Sequence, residues 1–82
     1  MIRVLVAGEA QQAARTLADA GFEVVYTGPS EMAAIASIAL QEAADAIVVW
    51  TDACADHGVG SETPTLFTTD PADLVGRVRA LV

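Results

Sequence analysis

Apolar residues along this chain follow two spacings, one typical of β-strands and one typical of α-helices. Short, nearly continuous apolar runs predict four buried strands, at Ile2–Ala7, Glu23–Thr27, Ala46–Trp50 and Thr65–Thr68. Between the first three, apolar residues recur every three or four positions, which is the spacing of one helical face. This pattern predicts a first helix over about Glu9–Ala20, a second that runs to about Ala43, and a last one after the fourth strand.

Turn and cap residues mark the ends of these elements. Gly21 supplies the left-handed position that often closes a helix, so the first helix is expected to end there. Ser30 is the expected N-cap of the second helix. Asp70 is expected to cap the last helix, with Pro71 at its first position and Asp73 in its first turn.

The order of elements predicts the strand order of the sheet. Parallel strands joined by helices use right-handed crossovers, so the first two helices cover opposite faces only if the strand order reverses. The predicted fold is a single α/β domain over residues 1–82, a flavodoxin-like three-layer sandwich with a mainly parallel sheet of order 2-1-3-4. The direction of the fourth strand stays open, because the segment before it is near the minimum length of a crossover.

Composition and charge narrow the classes of partner. The chain has 82 residues, of which 54% are apolar and only 5% aromatic, so its core is built from small side chains and is marginal in size. A homodimer would bury more surface. The net charge of −7, with four arginines and no lysine, argues against nucleic acid and anionic membranes and favours either solubility or a basic partner surface.

Cellular location is predicted from cysteine usage and hydropathy. Cys54 is the only cysteine, so no intramolecular disulfide can form, and a cytoplasmic location is expected. The apolar run at Ile2–Ala7 is too short for a signal peptide. No stretch approaches the roughly 20 apolar residues of a membrane-spanning helix.

Two stretches carry a resemblance to a known family. They read LADAGFEVVYTG at Leu17–Gly28 and ALQEAADAIVV at Ala39–Val49. Both closely resemble the cobalamin-binding domain of methylmalonyl-CoA mutase and related B12-dependent mutases. The similarity covers Arg3–Val49 apart from one gap and resumes more weakly at Leu66–Leu81. The resemblance implies the flavodoxin-like scaffold of that domain.

The chain departs from this family in the residues that bind the cofactor. In the family, a D-x-H-x-x-G loop after the first strand supplies the histidine that coordinates cobalt. Here Ala7 is followed by Gly8–Ala10 and then by the predicted helix. His57 and Gly60 echo the motif, but Ala55 replaces its aspartate and the segment follows a different strand. The resemblance therefore implies the fold without histidine-ligated cobalamin, and no cofactor is expected.

Candidate ligand-binding residues lie where the strands end, since open α/β sheets bind ligands beyond the carboxyl ends of their strands. The predicted rim consists of Gly8, Glu9, Gly28, Ser30, Thr51, Asp52, Thr68 and Thr69. A phosphate at the Gly8 turn is an alternative, although Glu9 would repel it. A response-regulator receiver is excluded, because Trp50 stands where that class needs aspartate and the chain has no lysine.

The segment Asp52–His57 contains the highest density of side chains that could bind a metal or react. Cys54, Asp56 and His57 are potential metal ligands, and the cysteine–histidine pair is also compatible with an activated thiolate. An ordinary acidic loop is the alternative to both.

Apolar residues beyond those that one core-facing side requires predict an interface with another protein or subunit. Ile38 and Leu40 widen the apolar stripe of the second helix, and Trp50 either plugs the sheet end or meets a partner. Compared with the mutase domain, a strand and its covering helices are missing, and an open edge of this kind requires a homodimer or another protein partner. The predicted function is a non-catalytic oligomerisation or protein-interaction module. The alternative is a small-ligand or metal-binding domain around Asp52–His57, with cobalamin held without a histidine as one form of it.

Overall fold

The computed structural model describes residues 1–29, 31–51 and 63–82. These residues form an α/β fold of four strands and three helices. The elements are β1 (Arg3–Ala7), α1 (Gln11–Asp19), β2 (Glu23–Gly28), α2 (Met32–Gln41), β3 (Ala46–Trp50), β4 (Thr65–Thr68) and α3 (Leu74–Arg79). None of the helices in this part of the chain is long and apolar enough to cross a membrane.

The sheet has the order β2-β1-β3-β4, and every neighbouring pair is parallel. The predicted flavodoxin-like order is thereby confirmed. The direction of β4, which the sequence left open, is parallel to β3. Between β1 and β2 the register shifts after Val6, which pairs with Tyr26, because Ala7 pairs with Gly28 and leaves Thr27 as an extra residue. A bulge of this kind twists an edge strand.

Helices cover both faces of the sheet, and the alternation of strand residues sorts the core into two clusters. On one face α1 and α3 pack together over the strands, with Leu17, Val48 and Val78 completely buried. On the other face, α2 is the one helix among the described residues, with Ile35 packed against Leu5 and Ile47. The central strands are buried on both sides, which accounts for their almost unbroken apolar sequence.

Two helices end with the same hydrogen-bonded motif. After α1, Phe22 N–H donates to the Leu17 carbonyl and Gly21 N–H to that of Ala18, and Gly21 has a φ of +99°. This is a Schellman motif, and it confirms Gly21 as the residue that closes the helix. After α2, Ala44 N–H donates to Ala39 and Ala43 N–H to Leu40, with Ala43 itself at a φ of +53°.

Helix beginnings differ from the sequence-based prediction. α1 begins at Gln11 rather than Glu9, because Gly8 has a φ of +106° and Ala10 has a non-helical backbone. The residue at the N-cap of α2 is Glu31, in an extended conformation, rather than the predicted Ser30. Ser30 lies outside the described residues.

The last helix begins at Leu74, later than the predicted start at Pro71. The Asp70 carboxylate accepts a hydrogen bond of 2.9 Å from Ala72 N–H, so it caps a turn that precedes the helix. Asp73, with a left-handed φ of +50°, separates that turn from α3. The predicted cap therefore exists, but it does not belong to the helix.

Arg3 joins the amino-terminal ends of three strands. Its guanidinium donates two hydrogen bonds, of 3.0 and 2.7 Å, to one oxygen of Glu23, and a third to the carbonyl of Glu42. The Arg3 backbone N–H donates to the Asp45 carboxylate at 2.9 Å. The starts of β1, β2 and β3 are thus fixed relative to one another.

Candidate functional site

The carboxyl ends of β1 and β2 meet at two glycines. Gly8 N–H donates to the Gly28 carbonyl at 2.9 Å, so the two predicted rim residues are in direct contact. Glu9 follows on the exposed side of the turn into α1. The structure therefore brings Gly8, Glu9 and Gly28 together.

Tyr26 closes this turn, and sequence reasoning missed it. Its hydroxyl donates to the Gly8 carbonyl at 2.6 Å and accepts a longer hydrogen bond, 3.3 Å, from Ala10 N–H. One phenol thus ties the end of β2 to the connection between β1 and α1. The feature of the sequence that could have identified Tyr26 is its position, two residues before Gly28 in the strand that flanks the Gly8 turn.

A shallow hollow of about 630 Å³ opens beside this turn. Its volume lies within the range of small-molecule sites, roughly 300–1,000 Å³. The lining residues are Glu9, Gln11, Gln12, Tyr26, Gly28 and Pro29. A carboxylate and two carboxamides suit a small polar or cationic ligand better than a phosphate, because the carboxylate repels an anion.

At the switch point of the sheet, the backbones of Gly8 and Trp50 approach each other closely at the ends of β1 and β3. A Cβ atom placed on Gly8 would lie 2.8 Å from the carbonyl oxygen and 3.1 Å from the Cβ of Trp50. The Trp50 side chain packs against the cluster under α1 and α3. The two strand ends therefore lie side by side at the place where sheets of this order usually admit a ligand.

The rim at β3 and β4 is held by local hydrogen bonds. Thr51 N–H donates to the Thr68 carbonyl at 3.2 Å, which places these two predicted residues together. Thr68 is buried, and its hydroxyl accepts from Asp70 N–H at 2.9 Å. Thr69 is exposed beside it. The Thr68 hydroxyl thus supports the turn before α3.

The candidate metal and thiolate residues lie outside the described part of the chain. They are Cys54, Asp56 and His57, and the rim candidate Asp52 lies outside it with them. Within residues 1–29, 31–51 and 63–82 no group of three His, Cys, Asp or Glu side chains is placed to hold a metal ion. The metal site and the activated thiolate stay predictions.

The described residues do not fit a histidine-ligated cobalamin. The connection from β1 to α1 consists of Gly8, Glu9 and Ala10, and none of the described residues is a histidine. The only histidine of the sequence, His57, lies outside the described residues. Nothing in the described part of the chain takes the place of the family's histidine loop beneath a corrin.

The solvent-facing side of α2 offers a different kind of site. Ala33, Ala36, Ser37 and Leu40 share one side of the helix, at positions i, i+3, i+4 and i+7, and we call them the outer α2 surface. Leu40 is 77% exposed. Ile38, the other predicted interface residue on this helix, is half-buried and packs against the α2 core cluster, so it contributes to the core.

Comparison with protein families, with curated proteins and with solved structures found no match to this chain.

Proposed function

We propose that this protein is a non-catalytic protein-interaction module that contacts its partner through the outer α2 surface. Its scaffold is proposed to derive from a cobalamin-binding domain that has lost its histidine loop. The observation that carries the proposal is Leu40, which is 77% exposed on a helix that contains no charged residue.

The exposure of Leu40 has an energetic meaning. Burying a leucine side chain is worth about 1.5–3 kcal/mol, so a partner that covers Leu40 gains a substantial contact. The small residues Ala33, Ala36 and Ser37 beside it allow close approach of another backbone. Together they form a small uncharged surface around Leu40, which agrees with the depletion of charged residues at the centre of protein interfaces.

The other helices support this choice of surface. α1 carries Arg15 and Asp19, and α3 carries Arg77 and Arg79, so both present charges to solvent. In a chain of net charge −7, a ten-residue helix without charge costs less to remove from water than α1 or α3.

Site-specific photocrosslinking in cells tests the proposal. A photoreactive residue is placed at Leu40 and, separately, at Ala33 on the same surface. The matched control is Ala18, an exposed alanine on α1. We expect Ala33 and Leu40 to yield the same discrete crosslinked product and Ala18 to yield none of it. Products that are independent of position, or that arise equally from Ala18, would contradict the proposal.

A second candidate function rests on the hollow beside Tyr26. The carboxylate and the two carboxamides in its lining, and its volume of about 630 Å³, favour binding of a small polar molecule. The form of this alternative that the resemblance suggests, cobalamin held without histidine, is tested by gel filtration with hydroxocobalamin. Corrin absorbance that elutes with the protein would support this candidate, and a colourless protein peak would remove cobalamin from it.

A further inference from the structure

We infer that the partner of the outer α2 surface is a cationic amphipathic segment of another protein, with apolar residues for Leu40 and basic residues at its ends. The inference rests on the proposed function, because it names the partner class of the same surface. It is carried by the distribution of charge around α2.

The arginines lie mainly on the face opposite to α2. Arg15 belongs to α1, and on α3 Arg77 donates to the Asp70 carbonyl at 3.2 Å. Arg79 lies over the ring of Phe22, 5.3 Å from its centre, and Phe22 is part of the core under α1 and α3. Three of the four arginines therefore lie in the layer of α1 and α3.

The fourth arginine reaches the end of α2 but does not make that end positive. The Arg3 guanidinium is bound by the Glu23 carboxylate, and its backbone N–H by Asp45. Glu42 stands at the end of the helix and accepts a guanidinium hydrogen bond at its backbone carbonyl, so three acidic residues and one arginine lie near this end of α2. The region stays negative by two charges.

Two exposed acids flank the helix, Glu31 at its start and Glu42 at its end. Among the described residues neither carboxylate forms an ion pair, since the ion pair found there is that of Arg3 with Glu23. The two positions are eleven residues apart, or roughly 16 Å at 1.5 Å per residue. A partner helix with basic residues at a similar spacing would meet both acids while its apolar side covers Leu40.

Residues 52–62 contribute no lysine or arginine to the chain. Their sequence, DACADHGVGSE, contains three acids and no lysine or arginine, so they add no permanent cation to any face.

A second copy of the chain fits this surface poorly. Two-fold packing of α2 on itself would bring Glu31 of one copy towards Glu42 of the other, and each copy carries a net charge of −7. Like charges that face each other across an interface oppose association. A basic partner turns the same acids into favourable contacts.

Binding of model peptides to the purified protein tests the inference. The probe is a helical peptide of leucine and lysine in amphipathic order, and the comparison peptide carries glutamine in place of each lysine. Titration calorimetry is run with wild type, Leu40→Gln, Glu31→Gln and Glu42→Gln. The matched control is Asp19→Asn, which removes one charge from the end of α1. Circular dichroism verifies that each variant is folded.

We expect the lysine peptide to bind at least about tenfold more tightly than the glutamine peptide at low salt. Glu31→Gln and Glu42→Gln should each weaken it about threefold, as loss of an exposed ion pair does. Leu40→Gln should weaken it about tenfold or more. Asp19→Asn should leave the affinity unchanged. The advantage of the lysine peptide should shrink at an ionic strength of about 0.15 M.

The alternative outcomes separate the two proposals. Suppose that Leu40→Gln weakens the binding of both peptides equally and that the glutamate variants bind like wild type. The inference of a cationic partner is then wrong, whereas the proposal that the outer α2 surface binds a partner still stands. If Asp19→Asn weakens binding as much as Glu42→Gln, net charge alone is responsible and the inference fails. If light scattering shows a dimer that Leu40→Gln dissociates, the occupant is a second copy and the inference fails. If no α2 variant changes any binding, both proposals fail.

Discussion

Gly8 and Gly21 have nearly the same backbone angle in different surroundings. Their φ values are +106° and +99°, yet a Cβ on Gly8 would lie 2.8 Å from the Trp50 carbonyl oxygen, whereas one on Gly21 would meet nothing within 4 Å. We expect Gly21→Ala to lower the free energy of unfolding by about 1–2 kcal/mol, the cost of a left-handed alanine. Gly8→Ala should lower it by a further 1–3 kcal/mol or so, because the ends of β1 and β3 must separate.

Urea denaturation of the two variants measures this difference, since both carry the same kind of backbone strain. The emission of Trp50, the only tryptophan, should change in folded Gly8→Ala and stay unchanged in Gly21→Ala. Equal losses of stability would show that the end of β3 can move at little cost in free energy. The close approach of Gly8 and Trp50 would then not constrain the two strand ends.

The end of α2 contains an alanine where the motif prefers glycine. Ala43 has a φ of +53° in the same hydrogen-bonding pattern that Gly21 completes after α1. We expect Ala43→Gly to stabilise the protein by about 0.5–1 kcal/mol, since relief of about 1–2 kcal/mol outweighs the extra freedom of glycine in the unfolded chain. Thermal unfolding should shift upward by roughly 2–8 °C.

Ala20→Gly is the matched control for this change. Ala20 occupies the right-handed C-cap of α1, with a φ of −83°, so glycine there relieves nothing and should destabilise. If Ala43→Gly lowered the melting temperature as well, its left-handed conformation would be no source of strain.

Strand order and one helix end could be predicted from the sequence, whereas the end of α2 and the role of Tyr26 could not. The strand order followed from apolar spacing and crossover handedness, and the end of α1 followed from Gly21. The end of α2 was placed two residues late, because an alanine gives no local sign of a left-handed turn. The role of Tyr26 depends on pairing between β1 and β2 in three dimensions, which spacing along the chain does not reveal.

The Arg3 cluster ties together segments that are distant along the chain, since Glu23 and Asp45 lie at the starts of other strands. We expect Arg3→Gln to lower the free energy of unfolding by about 1 kcal/mol. Hydrogen bonds to charged groups are worth about 1.5–3 kcal/mol, and the partial exposure of this pair reduces that value. The loss relative to wild type should diminish in high salt, which screens the pair.

Arg15→Gln is the control, because it removes the same charge from an exposed position of α1. Denaturation at low and high salt should show a change within about 0.5 kcal/mol for this variant. Equal effects of the two substitutions would mean that total charge matters and the cluster does not.

The candidate surface was only partly accessible to sequence reasoning. Composition predicted either solubility or a basic partner, and helical spacing pointed to Ile38 and Leu40, of which the structure exposes Leu40. The separation of α2 from the layer that holds Arg15, Arg77 and Arg79 is a property of the topology, so it becomes visible only when the faces of the sheet are assigned.

The parallel order of the sheet also determines what happens while the chain is being made. Arg3 pairs with Glu23, but the other side of β1 waits for β3, where Val4 meets Ala46, 42 residues later. At roughly 5–20 residues per second, a ribosome needs about 2–8 s to deliver that partner. During this interval the apolar segment Val4–Ala7 is a nascent strand without its second neighbour, and unpaired apolar strands of this kind are prone to aggregate.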